Sequence, residues 1–582
     1  MKENKEGLPK FMKDILTIIG NIIVKNQLTI IIFVLVMIYN HYKRYNRYLL
    51  NDNATLVMDI NFNNQNKNYI ENIVAIRHAA KDIKIKKLFI NLNTINSADN
   101  ILSINYAILE NLKKALIEFK KNGKEISVWS EAYNLRSYYI ASIADNIYAP
   151  KYGTITLNGI YHKNLFLKNI LEKNNVKIKT FRPKNNKFKG AIETYTNSSM
   201  SDESKAQIKL YMDEAYKVLS SEILEYRNNE KFTNLKNEQD DPLSKIYLMG
   251  VEEAKEKYGL IDDFKLYNDL LEKSPEPSIL DILLDDNYKS TDMLKNNVNQ
   301  INITNYKKLI PTRSDVAIIT LEGTINNEMY NNDKNNNRFH KEINYVLYNN
   351  DIRKVILCID SPGGYYHIGL QMFDLLLKVK RKKELIVVQG NLAASGGYYL
   401  SVIGKIYANK LTLTGSIGVF SVIPSFKQFL ENKGININGP STHEFSDINS
   451  ALIKDEENII TAKYNESIEQ TYKAFKDHCN KFRNLQLSYN KKRCYNMFNI
   501  SDEVASGKVW SGSKAYEHDL VDNIGGIYEV LINELDENNL NMPQVLFFTD
   551  TGFSKFKKML IKNKLLFKKM SKLMSIIDKI SL

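Results

Sequence analysis

Apolar residues recur along this chain in short runs, separated by polar stretches long enough to form helices. LVMDINF from Leu56, IKKLFINLN (Ile85–Asn93), VAIITLEGTI from Val316, IRKVILCID (Ile352–Asp360) and LIVVQG (Leu385–Gly390) read as strands. Their near-continuous apolarity marks strands covered on both faces, as in a parallel sheet. Strands alternating with helical stretches imply βαβ crossovers, so the expected fold class is α/β.

The same pattern occurs twice, with a period of about 260 residues, which is the signature of an internal repeat. IKKLFINLN lies over IRKVILCID, YYIASIADNIYAPK (Tyr138–Lys151) over YYLSVIGKIYANK (Tyr398–Lys410), and ILEKNNVKIK (Ile170–Lys179) over FLENKGININ (Phe429–Asn438). Between the copies, Ser274–Asn305 breaks the pattern with prolines and polar residues, and the junction is placed there. The expected organisation is residues 1–50 as N-terminus and anchor, 51–273 as a first domain, 274–313 as linker, 314–545 as a second domain and 546–582 as a basic tail.

The anchor rests on LTIIIFVLVMIY (Leu28–Tyr39), preceded by the weaker TIIGNIIV (Thr17–Val24). A hydrocarbon crossing needs about 20 residues, so this run has to recruit its neighbours on one side. NHYKRYNRYLL follows it in place of a small-residue cleavage site, which argues for an uncleaved anchor over a signal peptide. Basic residues on both sides leave only a weak charge bias, toward an N-terminus in the cytoplasm. The rival is a buried core helix. At the other end, Lys555–Leu582 carries nine lysines among apolar residues, which suits either a helix lying on an anionic membrane or a solvated cap.

Composition changes this picture little. The 582 residues are 43% hydrophobic and 25% charged, as in folded protein. The net charge of +14 comes with many Lys, Asn, Ile and Tyr, all drawn from AT-rich codons. No recognition motif accompanies it, so no nucleic-acid partner is expected. Cys358, Cys479 and Cys494 match neither a disulfide framework nor zinc-site spacing. A Cys479–Cys494 bridge is open in an oxidising compartment but is not the expectation, and neither metal nor cofactor is expected.

Candidate chemistry gathers in the second copy. The strand VILCID runs into Ser361-Pro362-Gly363-Gly364, where glycines let backbone N–H groups face a cleft as an oxyanion hole requires; an ordinary strand-to-helix turn reads the same way. LIVVQG leads into Ala393-Ala394-Ser395-Gly396-Gly397, which puts a serine on a turn between small residues. Ser395 is either an exposed nucleophile or a helix cap.

These motifs, with Tyr398-Tyr399, Leu413-Thr414-Gly415-Ser416-Ile417-Gly418-Val419, Gly507-Lys508-Val509-Trp510-Ser511-Gly512 and His518-Asp519-Leu520-Val521-Asp522, resemble the long form of signal peptide peptidase A, or protease IV. The resemblance runs from the anchor to about Leu540; Lys508 stands where the family usually has Arg, and Asp519 where it has Gly. It implies two tandem ClpP/crotonase-like domains behind the anchor and a serine peptidase without cofactor. It further implies a nucleophile at Ser395 and a base at Lys189 in Phe188-Lys189-Gly190-Ala191-Ile192-Glu193, with oxyanion donors around Gly363, Gly364 and Gly396. The implied setting is a bacterial inner membrane, single-pass, with the domains on the periplasmic side, lipid and signal peptides as partners, and a homotetramer.

Lysine titrates near ~10.4 in water, so a base near neutrality needs a drop of about 2–3 units, which burial can supply. Lys184 and Lys187 compete for the role, and His367 is the histidine nearest the SPGG turn but falls inside the next helix. Ser416 either orients the lysine or is a turn hydroxyl, the commoner use. The first copy has Leu135 in place of Ser395 and Asn93-Thr94-Ile95-Asn96 in place of Asp360–Gly363, while the second has Phe445-Ser446 near the counterpart of Phe188-Lys189. One site built from both copies accounts for both losses. The alternatives are a crotonase-type acyl-CoA enzyme and a non-catalytic membrane scaffold.

Overall fold

The structure is a computed structural model describing residues 50, 52–60, 66–93, 105–227, 229–237, 241–271, 300–330, 337–443, 446, 458–489, 499–535 and 540–546. The expected anchor, the basic tail and Cys494 lie outside these residues. Among the described residues no helix is long and apolar enough to cross a membrane.

The first copy supplies β1 (Ala54–Asp59), β2 (Ile85–Asn91), β3 (Glu125–Trp129), β4 (Ala132–Asn134), β5 (Asn146–Ala149), β6 (Thr154–Thr156), β7 (Lys177–Phe181), β8 (Met249–Gly250), β9 (Asp263–Phe264) and β10 (Gln300–Asn302). The second supplies β11 (Thr312–Glu322), β12 (Lys354–Ser361), β13 (Glu384–Ala394), β14 (Lys405–Ala408), β15 (Leu413–Gly415), β16 (Ser421–Ser425), β17 (Val509–Ser511), β18 (Asn523–Ile524) and β19 (Met542–Val545).

The first sheet runs β10-β1-β2-β3-β5-β9, and in the second β19-β11-β12-β13-β14-β18 repeats that order, parallel throughout. The small sheet β4-β6-β8 has its counterpart in the far end of β13 with β15 and β17. Part of the stretch read as linker belongs to the first sheet: Gln300–Asn302 pairs with β1, and Tyr306 buries its ring and donates its hydroxyl to Asp82 at 2.8 Å. Proline and polar composition marked the boundary, but a three-residue strand is too short to leave an alternation.

The repeat holds at the level of single bonds. Tyr138 donates to Leu260 O and Tyr398 to Leu520 O, both at 2.9 Å. Arg227 clamps Asp262 and the carbonyl of Gly259, while Arg483 clamps Asp522 and the carbonyl of Asp519. Gly259 and Asp519 share a left-handed backbone, with φ of 62° and 56°, a conformation Asp tolerates better than most residues.

The two copies do not keep separate cores. Along β11 to β13, Ala317, Ile319, Val355, Leu357 and Val387 pack with the second copy's own helices, including Tyr366–Lys380. The alternate residues Ile318, Ile356, Cys358, Ile386 and Val388 share a core with Ile70, Ile73, Leu109, Leu112 and Leu116 of the first copy. Successive strand side chains point to opposite faces, so the second sheet uses the first copy's helices as its other cover. Asn111 fastens the contact, donating to Asn409 Oδ1 at 3.0 Å and accepting from Tyr528 N at 2.8 Å.

Candidate active site

The strand β13 is held between β12 and β14, with β15 beside its end, and it delivers the chain rigidly to Ser395. There the backbone takes φ 55° and ψ −117°, a sharp reversal that costs a non-glycine residue of order 1–3 kcal/mol. Ser395 N donates to Gly415 O at 2.8 Å, and a helix begins at Gly396 (Gly396–Ser401). The strain stands the hydroxyl out of the turn, half-buried at the floor of a cleft. The small neighbours follow from crowding: a Cβ on Gly397 would lie 2.7 Å from Ser361 O, and one on Gly363 2.6 Å from Gly396 N and 2.8 Å from Ser395 Cβ.

Lys189 arrives from the first copy. The ladder of β7 with β16 joins the copies through five residue pairs, Ser421 opposite Phe181 to Ser425 opposite Lys177. Beyond β7, buried Asn186 donates to Val419 O at 3.0 Å, and Phe188 N donates to Ser506 O at 3.1 Å. Gly507, at φ 78°, packs directly on the Lys189 backbone: a Cβ there would fall 2.8 Å from its N and 2.9 Å from its Cβ.

The amine Nζ of Lys189 lies 3.0 Å from Ser395 Oγ, 2.9 Å from Ser416 Oγ and 2.9 Å from Ser416 O. Among the described residues no carboxylate compensates it, and burial lowers the amine to about 7. Ser416 is buried at φ 50°, a left-handed turn that presents its hydroxyl and carbonyl to the same point. Such an amine can take the proton of Ser395 at neutral pH, which a surface lysine cannot.

The competing bases are elsewhere. Lys184 and Lys187 are exposed, and His367 is exposed and stacks on Tyr365 at 5.8 Å. Of the glycines around Ser395, Gly363 has its N–H turned onto Ser361 Oγ at 3.1 Å and its carbonyl taken by Ile325 N at 2.8 Å. Gly396 N, at the first helical position, has no partner within its helix, and Gly364 N lies near it, since a Cβ on Gly396 would be 3.4 Å from that nitrogen. Glu193 lies one turn past Lys189. It accepts from Ser201 N at 3.0 Å, Ser201 Oγ at 2.6 Å and Ser204 Oγ at 2.7 Å, bonds that hold its carboxyl below the usual range and pin the loop to the start of the Asp202–Tyr226 helix.

The cleft has a volume of about 1270 Å³ and is lined by Phe188, Leu392, Leu413 and Phe420 together with Ser395, Lys189 and Ser416. The profile of peptidase family S49 matches residues 118–277 and 378–541, one segment in each copy. The chain belongs to peptidase family S49. The Clp protease profile matches residues 304–414 within the second copy. Among S49 relatives, the chain is 29% identical to Protease 4 of Haemophilus influenzae over 509 residues, spanning 83% of this chain and 76% of that protein. It is 25% identical to Protease 4 of Salmonella typhi, over 84% of this chain and 74% of that one. It is 24% identical to the chloroplastic serine protease SPPA of Arabidopsis thaliana, over 80% and 64%. The S49 assignment makes the chain a serine-type protease with α/β ClpP-like domains.

From its motif Ser416 reads more readily as a turn hydroxyl than as a partner of the lysine. A TGSIG turn gives no sign that its serine is left-handed, and only that geometry brings carbonyl and hydroxyl to one amine. Asn186 and Gly507 were not singled out, although Gly507 opens the quoted GKVWSG motif.

Proposed function

We propose that the chain is a membrane-anchored serine endopeptidase of the S49 family in which Ser395 attacks and Lys189 is the general base. The carrying observation is the buried amine 3.0 Å from the hydroxyl with both other contacts on Ser416. A neutral amine has two N–H donors and one lone pair. With the donors spent on Ser416 O and Oγ, the lone pair faces Ser395.

Lys189 accepts the Ser395 proton as Oγ bonds to a peptide carbonyl carbon. The N–H groups of Gly364 and Gly396 hold the resulting oxyanion, while Gly363 serves by its lack of a side chain. The lysine ammonium then protonates the departing amine as the C–N bond breaks. Water enters, gives a proton to Lys189 and attacks the acyl carbon; the ester bond breaks, and the proton returns to Ser395. Removing one such oxyanion donor typically costs about 10²–10³ in rate.

The apolar cleft walls suit hydrophobic peptides, and the apolar Leu28–Tyr39 run would hold the enzyme at a membrane that supplies them, as cleaved signal peptides would be supplied at the periplasmic face of a bacterial inner membrane. The test is hydrolysis of a hydrophobic peptide ester by wild type, Ser395→Ala and Lys189→Ala. Both variants are expected to lose at least 10³-fold in kcat/KM, with wild-type circular dichroism retained; near-normal turnover in either refutes the assignment.

A further inference from the structure

Shortly before Ser395, β13 departs from its ladder. Ile359 pairs with Gln389 and Ser361 with Ala393, so Gly390, Asn391 and Leu392 lie opposite the single residue Asp360. A bulge takes backbone N–H groups out of the ladder and re-aims the residues that follow. Here the Asp360 carboxylate receives them, accepting from Asn391 N at 3.4 Å, Asn391 Nδ2 at 2.9 Å and Leu392 N at 3.1 Å. Gly390 makes room, since a Cβ there would fall 2.9 Å from Asp360 Oδ2.

Asn391 carries the tie further. Its Oδ1 accepts from Ala107 N at 2.9 Å, at the start of the first copy's Tyr106–Lys121 helix, whose own Asn105 supplies no side-chain cap. One carboxylate therefore reaches the nucleophile through the bulge, the cleft through Leu392, which lines it, and the other copy through Asn391.

The copy without a nucleophile supplies the comparison. Glu131 stands four residues before Leu135, as Asn391 stands four before Ser395, and Glu131 N donates to Asn93 Oδ1 at 3.3 Å. There a neutral amide keeps the backbone bond. Asp360 in place of Asn93, Gly390 in place of Ser130 and Asn391 in place of Glu131 occur together in the copy that holds Ser395.

We propose that Asp360 is a positioning residue for the nucleophile: its carboxylate clamps the bulge that aims Ser395 and, through Asn391, fastens that bulge to the first copy. This role presupposes Ser395 as nucleophile and Lys189 as base. Because donors surround the carboxyl, a proton on it sets a hydroxyl hydrogen against N–H groups and loosens the clamp. Burial, with Glu322 of β11 adding to it, outweighs the accepted bonds and lifts Asp360 to about 6. Its other titratable neighbours are Tyr69, on the first copy's Asn66–Lys81 helix, and Cys358 of its own strand, both pushed up by burial and so protonated. Activity then needs both Asp360 and Lys189 to have lost a proton, and it falls on acidification more steeply than a single base allows.

The test is the pH dependence of hydrophobic peptide ester hydrolysis by full-length protein in mild detergent, with active sites counted by fluorophosphonate labelling run to completion. For wild type, log(kcat/KM) should fall toward acid pH with a limiting slope of about 2. Asp360→Asn keeps the shape but turns an N–H group toward donors. Its kcat at pH 8 should drop by about tenfold or more with KM little changed, and its acid slope should be about 1. Wild-type kcat in that variant, an acid slope in it as steep as wild type's, or a wild-type slope that a single group explains would each overturn the positioning role. Should circular dichroism show Asp360→Asn unfolded, Asn391→Ala takes its place: it removes one donor and the tie to Ala107, and an unchanged kcat refutes the clamp. Lys189→Ala in the same assay reports on the chemistry separately. Near-normal turnover there refutes the base, whereas its loss beside an unimpaired Asp360→Asn refutes only the clamp.

Discussion

At the residue scale, the proposed chemistry turns on an amine kept neutral by its surroundings. Because burial lowers Lys189 to about 7, the neutral amine dominates above that pH, so with Lys189 as the proposed base kcat/KM should rise through pH ~7 and level off. The same burial costs stability. The folded pKa lies below the unfolded value of ~10.4, so the cost grows as pH falls from about 10 and is complete below about 7. Lys189→Met should therefore gain stability relative to wild type, by roughly 2–3 kcal/mol more at pH 6 than at pH 9 in denaturant titrations; an equal gain at both pH values would contradict the depressed amine. Ser416→Ala removes one of two contacts that aim the lone pair, and is expected to lower kcat by about 10–100-fold with KM little changed. From the sequence, Ser395 stood out by its turn, and its pairing with Lys189 was suggested by motifs that resemble a family. The role of Ser416 and the diversion of the Gly363 N–H to Ser361 depend on backbone dihedrals that no motif spells out.

At the scale of elements, the repeat supplies its own controls. The Arg483–Asp522 pair has side chains 0% and 1% exposed, against 7% and 33% for Arg227–Asp262. Removing one partner of a buried pair strands the other charge at about 3–5 kcal/mol, so Arg483→Ala should unfold well before Arg227→Ala in urea. Gly507→Ala places a methyl group against the Lys189 backbone. The expected result is a loss of at least tenfold in kcat, exceeding what any fall in folded population explains. The strands and their repetition were readable from apolar runs and self-alignment, whereas their order in the sheets was not. The ladder of β7 with β16 was not, since KIKTF and SVIPS carry too little apolar alternation to name each other.

For the whole molecule, the two copies are expected to unfold as one unit, because the second sheet lies between its own helices and those of the first copy. The chain has two tryptophans, Trp129 in β3 and Trp510 in β17, one in each copy. Trp129→Phe and Trp510→Phe variants, each reporting on the remaining ring, should unfold with coincident midpoints; separated midpoints would show independent domains. The sequence suggested two domains joined by a linker, because buried parallel strands look alike whichever copy covers them. The partition of alternate residues such as Ile318 and Ile319 into different cores reveals the sharing.

The most direct measurement is the rate at which a fluorophosphonate acylates Ser395 as a function of pH, in wild type and in Lys189→Ala. An amine from the front half activating a hydroxyl from the back half predicts a wild-type rate that rises with a midpoint near pH 7, and a variant about 10³-fold slower with that midpoint gone. A variant that keeps the rate and the midpoint would contradict it.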